Sequence, residues 1–384
     1  MNWPHFSEEE IQAATEVLRS GKINYWTGGQ CKAFEEEFAA HCHTRYAISC
    51  MNGTAALEMA VKALGIGPGD EVIVTPRTFM ASVSCVPWVG AVPVFADVCP
   101  ESGNITARTI EACITSKTKA VILVHLGGWP CEMDDILALA KKRGLFVIED
   151  CAQAHGATYK GKPVGSMGDL GAYSFCQDKI ISTAGEGGML VTNDHGLWKR
   201  AWALKDHGKD FDMVFNTQHP PGFRWLHESF GTNARMTEFQ AAIGRIQLRN
   251  IHTFHTKRVR IAEQWHEATR ESHIVRSPWP PGHLQGAFYR YPIYVVPGKL
   301  GKGWSRDRIL SEAHKAGIHC IQGSCSEVYL EKAFEGTGWR PVAPLPNARA
   351  LGENSITFLT HHTQEIEDVV AQAGAFRAIL HYAQ

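Results

Sequence analysis

AVILVHLGGWPCEMDDILALAKKRGLFVIEDCAQAHGA, residues 120 to 157, holds two short β-rich runs, AVILVHL and LFVIED, joined by the helical stretch MDDILALAKKRG. The joining stretch repeats apolar residues at i, i+3 and i+4, carries Lys141, Lys142 and Arg143 near its end, and stops on Gly144. This is the pattern of an amphipathic helix with a basic last turn and a glycine cap. Both flanking runs are apolar on either face, as strands are when helices cover both sides of a sheet. Strand, helix, strand in that order is the unit of a parallel sheet.

The alternation extends outward in both directions. RYAISC, DEVIVT, VPVFADV, GAYSFC and GGMLVT continue it between residues 45 and 195, and TAALEMAVKALG, ending on Gly65, supplies another helix. The expectation is an α/β fold whose large domain has a mostly parallel seven-stranded sheet covered by helices. Residues 205 to 230 are rich in His, Pro, Gly and Asp and read as a long loop of the functional or mobile kind. From about residue 237 to 270 a single long helical segment is predicted, leading to a smaller α+β C-terminal domain. That domain has the strand-like YRYPIYVVP, a helix around SRDRILSEAHKAG and a terminal helix in QEIEDVVAQAGAFRAILHYA. The reading is 1–245 for the large domain with an N-terminal arm and 246–384 for the small one, in keeping with roughly 100 to 200 residues per domain.

Composition excludes several classes of partner. Lys plus Arg, 38, nearly balance Asp plus Glu, 39, so no global field favours nucleic acid or an anionic membrane. The N-terminus, MNWPHFSEEEIQAATEVLRSGK, has neither the basic start nor the apolar core of a secretory signal, and no run approaches the ~18 apolar residues of a membrane span. A soluble cytoplasmic protein is expected. The 11 cysteines are odd in number and scattered, and Cys50, Cys85 and Cys176 sit in strand-like contexts, which predicts reduced, buried thiols. Cys320 and Cys325 have no matching second pair, so no metal is expected.

Three strand ends carry the chemistry. Asp150 follows the apolar run LFVI, at the carboxyl edge where open α/β sheets bind ligands, although alone it reads more readily as a helix N-cap. MNGTAAL opens a helix at about Thr54, where Gly53 admits close backbone approach and free N–H groups face outward; this suits a phosphate, or is simply a capped turn. The loop matches neither the dinucleotide glycine fingerprint nor the nucleotide phosphate loop, which counts against NAD and ATP. Lys179 follows GAYSFC, with Ser174 five residues earlier and Gly185, Gly187 and Gly188 beyond. Alone it reads as a surface cation. Taken with Gly53, Thr54 and Asp150 it completes what a phosphorylated pyridine aldehyde requires: an anion site, a carboxylate for the ring nitrogen and a nucleophilic amine.

These residues stand in a longer series of stretches: YWTGGQCKAFEEEFA, NGTAAL, GIGPGDEVIVTPRTFMA, VHLGGWPCEMD, VIEDCAQAHGATYKGKPVGSMGDLGAYSF, GEGGMLVTND and GTNARMTEFQAAIGRIQL. In this order the sequence resembles the DegT/DnrJ/EryC1/StrS family of sugar aminotransferases, pyridoxal 5'-phosphate enzymes of the aspartate aminotransferase fold type I, over nearly the whole chain. The resemblance implies the roles. Lys179 takes the Schiff-base position and shuttles protons, Asp150 pairs with the ring nitrogen, and Gly53, Thr54 and Ser174 bind the phosphate. Phe79 lies over a ring face, with a core aromatic as its alternative. Gln153 contacts the ring or its phenolic oxygen. Asn233 reaches the phosphate of a neighbouring subunit, which implies a homodimer with shared active sites and places Tyr25 to Gly29 at the cleft entrance, or in a plain turn.

The implied reaction is transfer of an amino group from glutamate to a keto-deoxy-hexose on a nucleotide diphosphate, for a surface polysaccharide such as O-antigen or for a secondary metabolite. A family variant with histidine at the lysine position deoxygenates instead; here the position is lysine. The alternatives are a cyclitol ketone or other non-nucleotide substrate and, remotely, a cofactor-binding regulator, whose output module would have to come from an N-terminus offering only the acidic SEEEIQAATEVL. The second lobe departs from the family pattern in IQGSCSEVYLEKAF and ITFLTHHT. His361 and His362, in the latter, are expected to be exposed.

Overall fold

The computed structural model describes residues 3–384. All seven sequence runs form strands of one sheet: β1 Tyr46–Cys50, β2 Glu71–Val74, β3 Val92–Phe95, β4 Thr118–Val124, β5 Phe146–Asp150, then, past the short β6 Thr158–Tyr159 and β7 Lys162–Pro163, β8 Leu170–Ser174 and β9 Gly188–Thr192. Their order is β1-β9-β8-β5-β4-β2-β3, and only β9 runs against its neighbours. The carboxyl ends of β5 and β8 therefore lie side by side at one edge of the sheet. The helix Met133–Arg143 connects β4 to β5 and ends at Gly144 in the left-handed conformation, as its sequence required. Helix Gly53–Ala63 packs on β8 and β9.

The C-terminal part builds a four-stranded sheet with its own core. Val275–Arg276 is β10, Leu284–Gln285 is β11, Arg290–Val295 is β12, Cys320–Ile321 is β13 and Ser355–Leu359 is β14; the sheet order is β10-β12-β14-β13. Helices Ile251–Thr269, Arg306–Lys315 and Ile366–Tyr382 cover it, around Trp265, Ile293, Phe358 and Phe376. The strand β11 instead joins β6 and β7 in a small sheet at the side of the large one. The chain then returns: Val328, Tyr329 and Phe334 are buried in the large core, where Tyr329 and Phe334 meet Phe95 edge to face.

The structure corrects four sequence expectations. The long helix over 237–270 is two helices, Glu238–Arg249 and Ile251–Thr269. Asn250 stands between them with ψ −1°, and its side-chain amide donates to the Ile246 carbonyl at 3.1 Å, competition with the helical ladder that is typical of asparagine. The loop 205–230 contains a helical turn, Phe211–Phe215, capped by Asp210, because Phe211 and Phe215 pack on Trp202. Cys176 lies past the end of β8, half-buried in a cleft wall, and Cys85 is buried in the helix Ala81–Trp88, so neither packs in a strand. His361 and His362 are half-buried, the second stacked on Phe254 with ring centroids 3.7 Å apart. Stacking removes apolar ring surface from water, which sequence hydropathy does not register.

Candidate active site

Asp150, Gln153, Ser174 and Lys179 from the large sheet's carboxyl edge meet Gly53, Thr54 and Phe79 around one cleft of about 1450 Å³. Asp150 is buried at the end of β5. Its Oδ2 accepts from the Ser82 hydroxyl at 2.7 Å, its Oδ1 accepts from the Ala152 N–H at 3.0 Å, and Ser82 is itself 2.6 Å from the Thr78 hydroxyl. Burial pushes the Asp150 carboxyl up; the Ser82 and Ala152 hydrogen bonds and the Lys179 charge oppose it without cancelling it. A carboxylate held this way welcomes a cationic partner. Its neighbour Glu149 points into the opposite layer, where the N–H groups of Gly165, Met167 and Gly168 and the His125 ring all serve it. His125 Nδ1 accepts from the Cys131 N–H, so the ring is the neutral Nε2–H tautomer donating to Glu149. That network fixes the strand end from behind.

The anion cradle sits at the start of the helix Gly53–Ala63. The helix begins one residue earlier than expected, because the Asn52 side chain caps it by accepting from the Ala55 N–H at 2.8 Å. Gly53 faces Ser174: a Cβ at Gly53 would lie 2.6 Å from the Ser174 Cβ, so only glycine lets the helix end approach the strand end. The free N–H groups of the first turn and the Thr54 and Ser174 side chains line the same cleft, a suitable seat for a phosphate.

Lys179 hangs in a loop closed by backbone bonds from Gln177 to the Gly185 carbonyl and from Phe175 to that of Gly187. Gly185 takes φ +113°, a conformation L side chains rarely adopt. The Lys179 ammonium lies 3.5 Å from the Asp178 carboxylate and 5.1 Å from the centre of the Tyr289 ring. The Tyr289 hydroxyl donates to the other Asp178 oxygen. Tyr289 and Arg290 come from the small lobe, and with Ser324 and Cys325 they close the cleft from that side. None of these was picked out as a site residue from the sequence. The departing segment IQGSCSEVYLEKAF does supply Ser324 and Cys325 to the wall.

Gln153 accepts at its Oε1 from the Gly127 N–H at 2.7 Å and lines the cleft. Phe79 is 72% exposed, so it is a cleft aromatic and not a core one. Two expected positions lie elsewhere. Asn233 is exposed and stands outside the cleft lining of its own protomer. The Tyr25 to Gly29 segment also misses it: Tyr25 is buried with its hydroxyl on Glu35, and Trp26 stacks on Phe215.

A phosphorylated pyridine aldehyde fits this donor set: a helix-end cradle that a side chain at Gly53 would fill, a buried carboxylate, a flat wall at Phe79 and an amine. A model of the DegT/DnrJ/EryC1/StrS aminotransferase family matches residues 4–373. The chain belongs to that family.

A GDP-perosamine synthase of Caulobacter vibrioides is 42% identical over 287 residues, covering 74% of this chain and 73% of that protein. The solved aminotransferase of Psychrobacter cryohalolentis is 51% identical with a TM-score of 0.97, covering 99% of both chains. The Spr1654 protein of Streptococcus pneumoniae, solved in both PLP and PMP forms, is 27% identical, with TM-scores of 0.87 and 0.88 over 99% of this chain and 98% and 99% of its own. This DegT-family chain is a pyridoxal 5'-phosphate-dependent aminotransferase. When bound, the cofactor supplies an electron-accepting ring and a carbon that carries the amino group between substrates. The residues that would hold it are Gly53, Thr54 and Ser174 at the phosphate, Asp150 at the ring nitrogen, and Phe79 and Gln153 along the ring. Lys179 would supply the amine, with Asp178 3.5 Å away to balance its charge.

Proposed function

We propose that this aminotransferase moves an amino group from glutamate to a keto-deoxy-hexose carried on a nucleotide diphosphate, in the making of an amino sugar. The carrying observation is the convergence of Lys179, Asp150 and the Gly53–Ser174 cradle in one cleft that the small lobe closes with Tyr289 and Arg290. The similarity to a GDP-perosamine synthase supports a nucleotide-linked sugar as acceptor. Lys179 holds and moves the proton at the reacting carbon. Asp150 stabilises positive charge at the ring nitrogen. Closure by Tyr289 and Arg290 excludes water while the amine is transferred.

The same reading treats 1–245 as the cofactor lobe and 246–384 as the closing lobe, and takes the working unit as a homodimer. Supporting the dimer, Asn233 faces outward next to a segment whose Phe223, Trp225 and Phe230 are 80%, 83% and 94% exposed. An apolar group of this kind on an otherwise polar surface suits a protein contact. No helix of the described residues is long and apolar enough to cross a membrane.

The purified protein should show a visible absorption band that is lost on adding glutamate and absent from Lys179→Ala. It should release 2-oxoglutarate continuously only when a nucleotide-linked keto-sugar is present. Bleaching by glutamate without turnover on any nucleotide sugar would sink the acceptor assignment and turn attention to ketones without a nucleotide.

A further inference from the structure

A buried cation next to the cleft has no use in the cofactor chemistry. Arg77 follows β2, two residues before Phe79, and only 2% of it is exposed. Its Nη1 donates to the Tyr294 hydroxyl at 3.3 Å, its Nε has no partner, and among the described residues no carboxylate pairs with it. Burying a guanidinium against one neutral phenol is unfavourable unless something else supplies the counter-charge. The neighbouring Arg276 is better served. Arg276 donates to the Pro100 and Glu101 carbonyls. Arg258, whose Nε is also unpartnered, donates to the Tyr289 carbonyl and faces neither cavity.

Arg77, by contrast, lines a narrow crevice between the lobes, along with Ser102, Trp129 and Tyr294. Gln153, Tyr289, Arg290 and Ser324 line both this crevice and the cofactor cleft, so the two spaces adjoin. On the loop side the backbone closes tightly on the guanidinium: a Cβ at Gly103 would lie 2.6 Å from Arg77 Nη1. The Tyr294 ring carries the Arg276 guanidinium at 4.5 Å and that of Arg77 at 5.8 Å, and Arg290 lines the same crevice; the Glu101 and Asp178 charges act on Arg276 and Arg290, whereas among the described residues no ion pair holds Arg77.

We propose that Arg77 is a specificity-determining residue that receives a carboxylate of a substrate whose reacting carbon lies in the cofactor cleft. The inference rests on the aminotransferase reading above and names what one of its two substrates must carry. A guanidinium fork matches a carboxylate in geometry and charge. A methyl, hydroxymethyl or amide in the same place leaves the buried cation unpaired, so the site selects for the anion and against its neutral analogue. Two sources have this chemistry: the side-chain carboxylate of the amino donor, and a carboxylate on the keto-sugar itself.

The test follows the two half-reactions of the holoenzyme through its visible band. The donor arm compares glutamate with glutamine. The acceptor arm compares a nucleotide-linked keto-sugar bearing a carboxylate with the same sugar bearing a hydroxymethyl group. In one arm the wild type should prefer the carboxylate by about tenfold or more in kcat/KM, as loss of a charge-assisted hydrogen bond implies, and that arm names the source. Arg77→Gln should erase the preference, mainly through KM, and leave the other arm unchanged; Arg77→Lys should recover part of it. Ser102→Glu, at a half-exposed position in the crevice wall, supplies the missing counter-charge from within the chain and should also erase it with the visible band intact. No preference in either arm of the wild type overturns the proposal, as does a preference that survives Arg77→Gln or Ser102→Glu. An enzyme that glutamate does not bleach, or that aminates no keto-sugar, overturns the preceding reading and this one with it; a competent enzyme without charge preference overturns this one alone.

Discussion

The hydroxyl of Tyr289, the residue just before β12 of the small lobe, donates to the carboxylate of Asp178, one residue before Lys179. The lysine loop of the large lobe is thus tied to the lobe that closes over it. Burial acts to raise the Asp178 carboxyl, but the Lys179 charge and the Tyr289 hydrogen bond outweigh it and hold it below the usual range. Tyr289→Phe should lower the unfolding free energy by about 1 kcal/mol, because Asp178 is half-exposed and its hydrogen bond is screened. It should lower kcat more than it raises KM, since the lysine loses the group that fixes its carboxylate neighbour. Denaturant unfolding and steady-state kinetics decide this; unchanged kcat would mean that the lobes are coupled elsewhere.

Gly53→Ala tests the cradle. The added methyl would meet Ser174 at 2.6 Å, and both atoms sit on regular elements that cannot swing aside. The helix end must retreat from β8, at a cost of about 1–3 kcal/mol for overpacking. The expected outcome is a folded protein with lowered melting temperature that binds cofactor much more weakly, read from its visible band in a cofactor titration. Wild-type affinity would mean that the phosphate seat is not here.

Asp150 gives a pH-dependent prediction for the cofactor-free protein. Its carboxyl is raised in the fold, so between the unfolded and folded values the native state binds more protons than the unfolded chain. Stability therefore falls as pH rises through that window and stays lower above it. Asp150→Asn removes the penalty: the cofactor-free variant should be more stable than wild type at neutral pH, the gain vanishing below the usual aspartate range. Transamination should meanwhile fall by several orders of magnitude, since the ring nitrogen loses its partner. Unfolding curves at several pH values check the first part, and a gain that persists at low pH would contradict it.

His155 works in the opposite sense. Burial first, and then the Lys179 charge, lower its imidazole from 6.5 to about 3, and both ring nitrogens lack hydrogen-bond partners. Between those values the unfolded chain binds the extra proton, so stability is full above about 6.5 and is lost as pH falls towards 3, by roughly 4 kcal/mol at the limit. His155→Leu, neutral at every pH, should flatten this acid limb in thermal unfolding measured from pH 7 to 4. An equally steep limb would assign the acid sensitivity to other groups, His361 and His362 among them.

The seven strands were legible because burial on both faces writes itself as unbroken apolar runs, and Asp150, Gly53 and Lys179 were legible because each follows such a run. What escaped depends on contacts across the chain. Tyr289 reaches Asp178 from 111 residues away, and no local pattern in YRYPIYVVP marks its first residue as a cleft residue. Ser82 and Thr78, four residues apart in TPRTFMAS, carry no local mark of their role; the fold links Thr78 to Ser82 and sets Ser82 against Asp150. The break at Asn250 and the cap at Asp210 had local signals, an asparagine and an aspartate, that longer apolar periodicity and a polar composition overrode. Arg77 carried no signal, because the absence of a partner is a property of three dimensions.

Asn233 supports the sharpest test of a shared site. If it serves the neighbouring subunit, dimers of Lys179→Ala alone and of Asn233→Ala alone are each impaired at both sites. A hybrid dimer then has one site with both defects and one with neither. Random re-pairing of equal amounts makes half the dimers hybrid, so about one quarter of wild-type activity should appear on mixing. If Asn233 serves its own subunit, every hybrid site keeps a defect and mixing restores nothing. Co-expression with two affinity tags isolates the hybrid, whose activity should approach half that of wild type; a hybrid no more active than the Asn233→Ala parent would assign the residue to its own protomer, and an active monomer would remove the shared site altogether.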